Sequence, residues 1–262
     1  MDIVAQITVS IVCYNTPFEI ISKCIDSVEM QKVSWKGVFI DHSPDQKYEK
    51  LFSNRTKWKY IYRGDINDGF GGGNNFAFQF AKDSEFFLIL NPDLYIKSDT
   101  FQLCLESAED ISNLGLLGPK VFFPNGNLQR LNKMDPSVFA LLGRRFPLFA
   151  KLAFVKAAIE RYEMVEFQYQ QRQEIEFLSG CFLFIPTAVY ERLNGFDSDF
   201  FLYFEDADLC RRCRGLGYKV FFEPRIEVTH EYQRGSHRSL KLFFIFLRSM
   251  LHYFNKWGYK WY

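Results

Sequence analysis

Three acidic side chains stand close together behind an aromatic segment, in a position suited to proton transfer. Glu205, Asp206 and Asp208 follow the aromatic residues 200–204, at what the pattern predicts to be the start of a helix. A carboxylate at the mouth of an apolar pocket is a candidate general base, because its neighbours adjust its pKa. The structural alternative is that the dipole of a helix favours acidic residues in its first turn.

A further carboxylate, Asp93, follows a short apolar run. Residues 86–90 are all apolar and too few for a helix, and Asn91 and Pro92 end the run, so the pattern predicts a strand buried on both faces. Open α/β sheets bind ligands at the carboxyl ends of their strands. Mg²⁺ takes one or two carboxylates together with phosphate oxygens, so Asp93 suits a cation that carries a diphosphate. The alternative is a turn in which the aspartate serves the turn itself.

A glycine-rich stretch from Asn67 to Asn75 precedes that strand, with a helix predicted over residues 76–81. Glycines let the backbone approach a ligand closely, and N–H groups at the start of a helix favour phosphate or sugar oxygens. The stretch is not a Walker loop, because no Gly-Lys-Ser/Thr follows it, and not a dinucleotide fingerprint, because it does not follow the first strand. It is either part of a ligand site or an ordinary turn.

Two other features could ligate a metal. His230 follows a strand near the end of the chain, where a lone histidine is more often structural than a ligand. Cys210 and Cys213 form a C-x-x-C pair, but no second pair follows at zinc-finger spacing. The charged residues around that pair favour helix packing over zinc or redox chemistry.

Strands and helices alternate along the chain. Apolar runs predict strands at residues 7–14, 37–40, 58–62, 86–90, 174–186 and 219–223, with one more before His230. Apolar spacing predicts a helix over residues 18–28, and Thr187 caps a short helix that ends at Leu193. This alternation implies an α/β fold with a mostly parallel central sheet flanked by helices. Residues 143–154 are basic and apolar and are predicted to cover the cleft as a loop or helix.

Charge is concentrated at the carboxyl-terminal end. The net charge of the 262 residues is +1, yet residues 238–262 hold five basic residues, including Arg238, and no acidic one. A basic patch confined to one aromatic segment indicates an anionic surface as partner, and not nucleic acid along the whole body. The 48% hydrophobic content excludes wholesale disorder.

The same end has the pattern of an amphipathic helical tail. Its basic residues include Lys241, Arg248 and Lys256, and four aromatic residues that suit a headgroup interface follow at positions 257–262. Either the helix lies on a membrane or it packs on the domain with a basic outer face. Six apolar residues fit one helical face, namely Leu240, Phe243, Phe244, Leu247, Leu251 and Phe254.

The amino terminus and the cysteines favour a cytoplasmic location. No basic stretch followed by an apolar one opens the chain, so no secretory signal is expected. No apolar run approaches the ~20 residues that span a bilayer. Six cysteines without a signal favour reduced thiols in the cytoplasm.

Taken together, these motifs resemble the inverting family 2 glycosyltransferases, and within them the bacterial rhamnosyltransferase-like enzymes. The resemblance extends from Ile7 to about Tyr262. It rests on the opening Tyr14-Asn15, Asp41, the glycine stretch, Leu90-Asn91-Pro92-Asp93, the turn at residues 126–130, Ser179-Gly180, Gly195-Phe196-Asp197 with the acidic segment after it, and His230. Asn91 stands where many relatives have Asp, and His42 stands where the base-reading segment more commonly has Asn.

The resemblance implies a GT-A-type fold and a single-displacement glycosyl transfer. Asp93 and His230 would hold Mg²⁺ or Mn²⁺ against the diphosphate of a nucleotide sugar, with Asp93 carrying more of the ion because of Asn91. Asp206 would take the proton of the acceptor hydroxyl, with Glu205 as the base if the register differs by one. Glu205 and Asp208 would otherwise orient acceptor and loop.

The resemblance also assigns the binding sites. The domain is expected to comprise a nucleotide-sugar half (residues 1–115), an acceptor and catalytic half (116–236) and the basic aromatic tail (237–262). Gly180 and Cys181 are expected to meet the acceptor. The donor is expected to contact Tyr14, Asn15, Asp41, Asn67, Gly72, Gly73, Asn74, Asn75 and Asn91.

The expected reaction moves L-rhamnose from dTDP-rhamnose to a lipid-linked saccharide acceptor on the inner face of the cell membrane. A UDP-galactofuranose or other UDP-hexose transferase is the alternative donor class. A nucleotidyltransferase would be expected to have a basic glycine-rich loop after the first strand, and none is present. A non-catalytic sugar-binding module need not have kept Asp93, Glu205, Asp206 and His230 together.

Overall fold

The computed structural model describes residues 5–231 and 240–262. Arg238, predicted as part of the basic tail, lies outside these residues. The strands are β1 (Ile7–Cys13), β2 (Trp35–Asp41), β3 (Trp58–Tyr62), β4 (Phe86–Leu90), β5 (Leu94–Ile96), β6 (Leu114–Phe122), β7 (Leu128–Gln129), β8 (Gln173–Glu174), β9 (Phe182–Pro186) and β10 (Lys219–His230). The helices are α1 (Phe18–Glu29), α2 (Glu49–Phe52), α3 (Gly69–Phe78), α4 (Thr100–Asp110), α5 (Val138–Arg145), α6 (Ala153–Tyr162), α7 (Thr187–Arg192), α8 (Glu205–Gly215) and α9 (Leu240–Trp257), with a short 3-10 helix at Phe149–Lys151.

These strands form one sheet, in the order β3-β2-β1-β4-β9-β6-β10-β5, with β7 and β8 on its margins. The α/β prediction is confirmed, and the sheet is mixed. Its first four strands are parallel, but β9 pairs antiparallel with both β4 and β6. Strands β6 and β10 also pair in parallel, so four of the seven pairings along this order are parallel, and the mostly parallel prediction is confirmed apart from β9 and β5. The order of strands in space depends on long-range pairing, and local sequence patterns do not contain it.

Two hydrophobic clusters cover the two faces of the sheet. One lies under α1, α2 and α4 and takes alternate residues of β1 and β4, such as Ile7 and Leu88. The other lies under α3 and α5 to α9 and takes the intervening residues, such as Phe87 and Ile89. Because both faces are covered, β4 is buried along its whole length, as the unbroken apolar run predicted.

Two predicted strands are divided differently in the structure. Residues 174–186 form β8 and β9 with an irregular connection between them, because β8 pairs with β10 whereas β9 pairs with β4. Conversely, the two strands predicted around residues 219–223 and before His230 are one strand, β10. An irregularity between Glu223 and Glu227 accommodates Pro224, which cannot donate to the ladder.

The glycine-rich stretch is helical, which corrects the predicted loop. Helix α3 begins at Gly69, seven residues before the predicted start at residue 76. A Cβ on Gly73 would lie 2.7 Å from Cγ1 of Val12, and one on Gly71 would lie 2.9 Å from Cβ of Phe196. The glycines are therefore needed for close packing of α3 against β1 and against the segment before α8.

Helix α9 packs on the domain along one side only. Ser249, Tyr253 and Phe254 are buried, whereas Leu240, Phe244 and Leu251 are among its exposed apolar residues. The six apolar residues predicted to share one face are thus divided, because Phe254 turns into the core. Within the described residues, no helix has both the length and the hydropathy needed to cross a membrane.

Candidate active site

A cleft opens at the carboxyl ends of β1 and β4. Its main cavity, of about 590 Å³, is bounded by the residues after these strands, by the start of α3, by Phe201 and Leu202, and by one side of α9. A second cavity of about 520 Å³ shares His42, Asn67 and Lys241 with the first, so the two are continuous. This is the sheet edge at which Asp93 was expected to meet a ligand.

Asp93 and His230 come together at this edge. Nε2 of His230 lies 3.2 Å from Oδ1 of Asp93, and the backbone N–H of Glu231 donates to the carbonyl of Asp93 at 3.0 Å. Strands β5 and β10 pair antiparallel at Leu94 and His230, which places the two side chains next to each other. The sequence predicted this pair, although 137 positions separate its members.

A residue that the sequence analysis did not single out orients His230. Oε1 of Gln129 lies 3.1 Å from Nδ1 of His230, and Nε2 of Gln129 donates to the carbonyl of His230 at 2.7 Å. A proton on Nδ1 leaves the lone pair of Nε2 directed toward Asp93. Gln129 lies in the 126–130 turn that carried part of the family resemblance, and only the pairing of β7 with β6 brings it near β10.

The Asp93–His230 pair fits a divalent cation. Ligands of an octahedral ion at ~2.1 Å stand about 3 Å apart, which is close to the spacing of these two ligand atoms. One carboxylate and one imidazole leave most positions to other oxygens, as diphosphate and water would supply. A separate group, Asp197, Asp199 and His252, also has clustered ligand atoms. Lys256 already forms an ion pair with Asp197 there, which disfavours a cation.

Glu205 and Asp206 open α8 in contrasting surroundings. Oδ2 of Asp206 accepts from the N–H of Gly180 at 2.9 Å, and Oδ1 accepts from the N–H of Ala207 at 2.9 Å. Burial raises the pKa of Asp206, while these two N–H donors lower it. Burial, followed by the charge of Asp206, raises the pKa of Glu205 well above its usual value. Oε2 of Glu205 is buried and has no hydrogen-bond partner among the described residues.

Backbone contacts connect Asp206 to the Asp93 side of the cleft. The N–H of Asn91 donates to the carbonyl of Cys181 at 2.8 Å, and the adjoining Gly180 donates to Asp206. A Cβ on Gly180 would lie 3.2 Å from Cε1 of Phe70, which lines the cleft, and 3.3 Å from Cβ of Asp206. Gly180 and Cys181, predicted for the acceptor, therefore stand between the two groups of candidate functional residues.

Helix α9 holds the segment that leads into Asp206. Tyr203 and Phe204 both have left-handed backbones, with φ of 71° and 70°. Side chains rarely adopt this conformation unless their surroundings enforce it. Ser249 donates to the carbonyl of Leu202 at 2.8 Å, and the rings of Phe246 and Tyr253 pack on Phe204 at centroid distances of 5.2 and 5.6 Å.

The side chain of Asp208 is bonded to residues of α8 and α9 inside the domain, and this position does not agree with its predicted role at the acceptor. It is fully buried and accepts from Nε of Arg212 at 2.7 Å and from Nε1 of Trp257 at 2.9 Å. The ammonium of Lys256 lies 2.8 Å from the same carboxylate. Asp208 therefore links α8 to α9, because its side chain is on the face of α8 that packs into the domain.

The residues predicted to bind the donor divide into two groups. Tyr14, Asn67 and Asn91 line the cleft. Asn67 also accepts from the N–H of Gly69 at 3.1 Å. Asn15 is exposed beside the cleft, has φ of 53° and donates its backbone N–H to Ser43. These residues remain candidates for donor contact.

The second group is directed into the protein. Asp41 is fully buried and accepts from the N–H of Ser43 and the hydroxyl of Tyr60, and its neighbour His42 lines the cleft instead. Asn74 is fully buried between Ser10 and the carbonyl of Phe70. Asn75 bonds to Tyr190 and Phe196 and borders a different cavity. Gly73 packs α3 against Val12, whereas Gly72 is half-buried and a Cβ there would lie 2.8 Å from Cβ of Asp68. The polarity of these asparagines suggested a ligand, but their partners are protein groups.

His42, Lys241 and Arg248 line the cleft without having been assigned to it from the sequence. Nε2 of His42 lies 3.2 Å from Oδ1 of Asp68, whose other oxygen accepts from Arg63. The presence of His at position 42, where Asn is commoner in the resembled family, was the sequence feature that could have identified His42. All six cysteines are free and buried, and Sγ of Cys210 contacts the backbone of Leu178, as expected for helix packing.

The chain is similar to known glycosyltransferases. The model of the glycosyltransferase like family 2 matches residues 94–248. The chain is similar to the rhamnosyltransferase WbbL of Escherichia coli K12, with 24% identity over 242 residues that cover 89% of this chain and 87% of that protein. It is also similar to the N-acetylglucosaminyl-diphospho-decaprenol L-rhamnosyltransferase of Mycobacterium tuberculosis, with 27% identity over 55% of this chain and 46% of that protein.

Solved structures support the fold assignment. The chain superposes on GalNAc-T7, which was crystallised with UDP, GalNAc and Mn²⁺, with a TM-score of 0.66 and 13% identity. That alignment covers 88% of this chain and 44% of GalNAc-T7. TarS of Staphylococcus aureus (residues 1–349) aligns with a TM-score of 0.57 and 17% identity over 86% of this chain and 60% of that one. The predicted GT-A-type fold is therefore confirmed.

Proposed function

The chain belongs to the glycosyltransferase like family 2, and from this premise we propose that it transfers a sugar from a nucleotide diphosphate to a saccharide acceptor, with inversion at the anomeric carbon. One observation carries the proposal. The Asp93–His230 pair and the half-buried carboxylate of Asp206 lie on either side of residues 180–181, beside a cleft that can admit a nucleotide sugar. Residues 1–115 would bind the donor, residues 116–236 would carry the base and acceptor site, and the 237–262 segment would contact both.

In this proposal Asp93 and His230 hold Mg²⁺ or Mn²⁺. When bound, the ion neutralises negative charge on the departing diphosphate. Gln129 keeps the imidazole of His230 in the tautomer that directs Nε2 toward the ion. Asn91 and Tyr14 are placed to contact the donor from the two strand ends.

Asp206 is the proposed base. The acceptor oxygen forms a bond to the anomeric carbon, the bond from that carbon to the diphosphate breaks, and the hydroxyl proton passes to Asp206. Burial makes this carboxylate more basic than an exposed one, and the N–H groups of Gly180 and Ala207 fix its orientation. Burial and the charge of Asp206 raise the pKa of Glu205, which favours its neutral form beside the base.

The proposed donor is dTDP-rhamnose. Two of the similar proteins are rhamnosyltransferases by name, and the glycine stretch is typical of that group. A hexosyltransferase of Haloferax volcanii is also similar, with 23% identity over 68% of this chain and 52% of that protein, which keeps a UDP-hexose donor as the alternative.

The proposed acceptor is a lipid-linked saccharide met at the inner membrane surface. Leu240, Phe244 and Leu251 expose apolar area on α9. The neighbouring connection from α5 to α6 exposes Leu148, at 80%, and the first turn of α6 exposes Phe154. Arg145 lies over the ring of Phe243 at 4.7 Å, which joins the two regions. We call Leu240, Phe244, Leu251, Leu148 and Phe154 the apolar surface. Basic side chains beside it suit anionic headgroups.

Calorimetric titration of dTDP, UDP and GDP, first with Mn²⁺ and then with EDTA, tests the donor and the metal. We expect dTDP to bind with Mn²⁺ and its affinity to fall at least tenfold in EDTA, because Asp93 and His230 then lack the ion that links them to the diphosphate. Preference for UDP would reject rhamnose and keep the enzyme class. A folded protein that binds no nucleotide would contradict the proposal.

Turnover of the Asp206→Asn variant tests the base. The substitution should retain the fold and dTDP binding and lower turnover by ~10²–10⁴-fold, because the amide cannot accept the proton. Asp99→Asn, an exposed aspartate at the start of α4, is the matched control and should behave as wild type. Near wild-type turnover of Asp206→Asn would refute this role.

A further inference from the structure

Helix α9 presents three different faces along its length. Phe246, Tyr253 and Phe254 face the domain and contact the segment before α8 or its surroundings. Leu240, Phe244 and Leu251 are exposed and apolar. Between these two faces lies a third, at i, i+4 and i+7 spacing, formed by Lys241, Ile245 and Arg248. Its residues line the cleft.

The two cations on this third face have no partner in the part of the chain that the structure describes. Lys241 and Arg248 make no ion pair, hydrogen bond or ring contact with residues 5–231 or 240–262. By contrast, Lys256, later on the same helix, is paired with Asp197 and Asp208. Asp199 lines the 520 Å³ cavity and lies 3.9 Å from His252. Lys241 and Arg248 are thus available to an anion in the cleft.

The opposite wall of the cleft carries little negative charge. Among the described residues, Asp93 is the one acidic side chain that lines the 590 Å³ cavity. Asn91 occupies the position where a second carboxylate would neutralise more of the charge of a bound metal ion. A nucleoside diphosphate carries several negative charges. A single ion at Asp93 leaves part of that charge to be balanced by protein cations.

We propose that Lys241 and Arg248 bind the diphosphate of the nucleotide sugar, so that α9 is a wall of the donor site as well as a membrane-facing helix. This inference rests on the proposed function. The same phosphate chemistry could come from an anionic lipid headgroup, because both side chains are exposed. The position of the two cations in the cleft, and not beside Phe244 on the exposed face, favours the nucleotide.

The experiment measures dTDP and dTMP affinity by calorimetry with Mn²⁺ for the wild type, Lys241→Gln and Arg248→Gln. Each variant should bind dTDP about tenfold more weakly and dTMP with a smaller loss, because a charge-assisted contact to the second phosphate is removed. Lys241→Arg should retain dTDP affinity within about threefold. Lys50→Gln, on the exposed side of α2, is the matched control and should bind as wild type.

Four outcomes distinguish the possibilities. The stated losses, with melting temperatures unchanged, support the inference. If both variants bind dTDP as wild type does, the inference fails and the proposed function stands. Normal dTDP binding together with lost binding to phosphatidylglycerol vesicles would overturn it and assign the cations to lipid. A folded wild type that binds no nucleotide would refute the proposed function and this inference with it.

Discussion

Glu205 and Asp206 are neighbours in the chain that the folded protein treats differently. Asp206 is only partly buried and receives two backbone N–H groups, whereas Glu205 is 5% exposed with one oxygen lacking a partner among the described residues. The unsolvated carboxyl is the one that retains its proton. Adjacent acidic residues of similar chemistry can therefore be assigned to separate roles by their surroundings.

The Glu205→Gln variant tests this assignment. The raised pKa of Glu205 means that the folded state binds a proton which the unfolded state has lost, so wild-type stability falls as pH rises above the unfolded pKa of about 4.3. Glutamine imitates the protonated carboxyl and removes that dependence. The melting temperature of the variant relative to wild type should therefore increase between pH 5 and pH 8, while turnover at neutral pH changes by less than about fivefold.

Melting curves across pH, compared with those of Glu174→Gln at an exposed position, measure this difference. A stability difference between Glu205→Gln and wild type that is the same at every pH would show that Glu205 is ionised in the folded protein. A loss of turnover as large as that of Asp206→Asn would instead identify Glu205 as the base.

At the scale of elements, α3 shows why glycine is needed where the sequence suggested a ligand loop. Gly69 has φ of +79°, and a Cβ there would lie 1.9 Å from the carbonyl oxygen of Phe201. The N–H of Phe70 donates to the same carbonyl at 3.1 Å. The start of α3 thus holds the segment that continues into Tyr203, Phe204 and helix α8.

We expect Gly69→Ala to destabilise the protein by more than about 3 kcal/mol, since a left-handed residue costs ~1–2 kcal/mol and the steric conflict adds to it. Gly126→Ala is a matched control, because Gly126 also has a positive φ, of +83°, but no atom lies within 4 Å of its added Cβ. Urea unfolding of both variants measures the difference. Equal losses would mean that Phe201 moves away at little cost and that the contact does not define the segment.

At the scale of the whole molecule, α9 connects three regions that the chain keeps apart. It packs on the segment before Asp206, lines the cleft and exposes apolar side chains beside the connection from α5 to α6. Removing residues 238–262 would expose the core residues that Tyr253 and Phe254 cover, and it would also remove any membrane contact. Point substitutions on the exposed face are therefore the informative test of the apolar surface.

The double variant Phe244→Ser with Leu251→Ser should bind phosphatidylglycerol vesicles more than tenfold more weakly than wild type, because each side chain contributes up to ~1.5–3 kcal/mol when buried in a bilayer interface. Its dTDP affinity should not change, in contrast to that of Lys241→Gln. Vesicle sedimentation measures the first quantity and calorimetry the second. Met30→Ser, at a residue 56% exposed next to α1, is the control. Unchanged partitioning of the double variant would remove the membrane from the proposal.

Much of the fold and part of the site could be predicted from the sequence. Strands β3 and β4 were predicted to the residue. For β4 the reason is burial on both faces, which requires an unbroken apolar run. The end of a buried strand predicted the location of Asp93, and the aromatic segment followed by acids predicted the start of α8. The link between Asp93 and His230 came from the family resemblance, and β10 brings the two residues together.

Tertiary structure alone decided which polar side chains line the cleft and which are hydrogen-bonded inside the protein. Asn74 and Asp208 look like ligand-binding residues in the sequence but are hydrogen-bonded inside the domain. Gln129 and Lys241 were not assigned to the cleft from the sequence, yet Gln129 orients His230 and Lys241 lines the cleft. A side chain's type and periodicity are local properties. Its partner is set by which elements pack against it, and here those elements lie 100 residues or more away along the chain, as Gln129 and Asp93 do from His230.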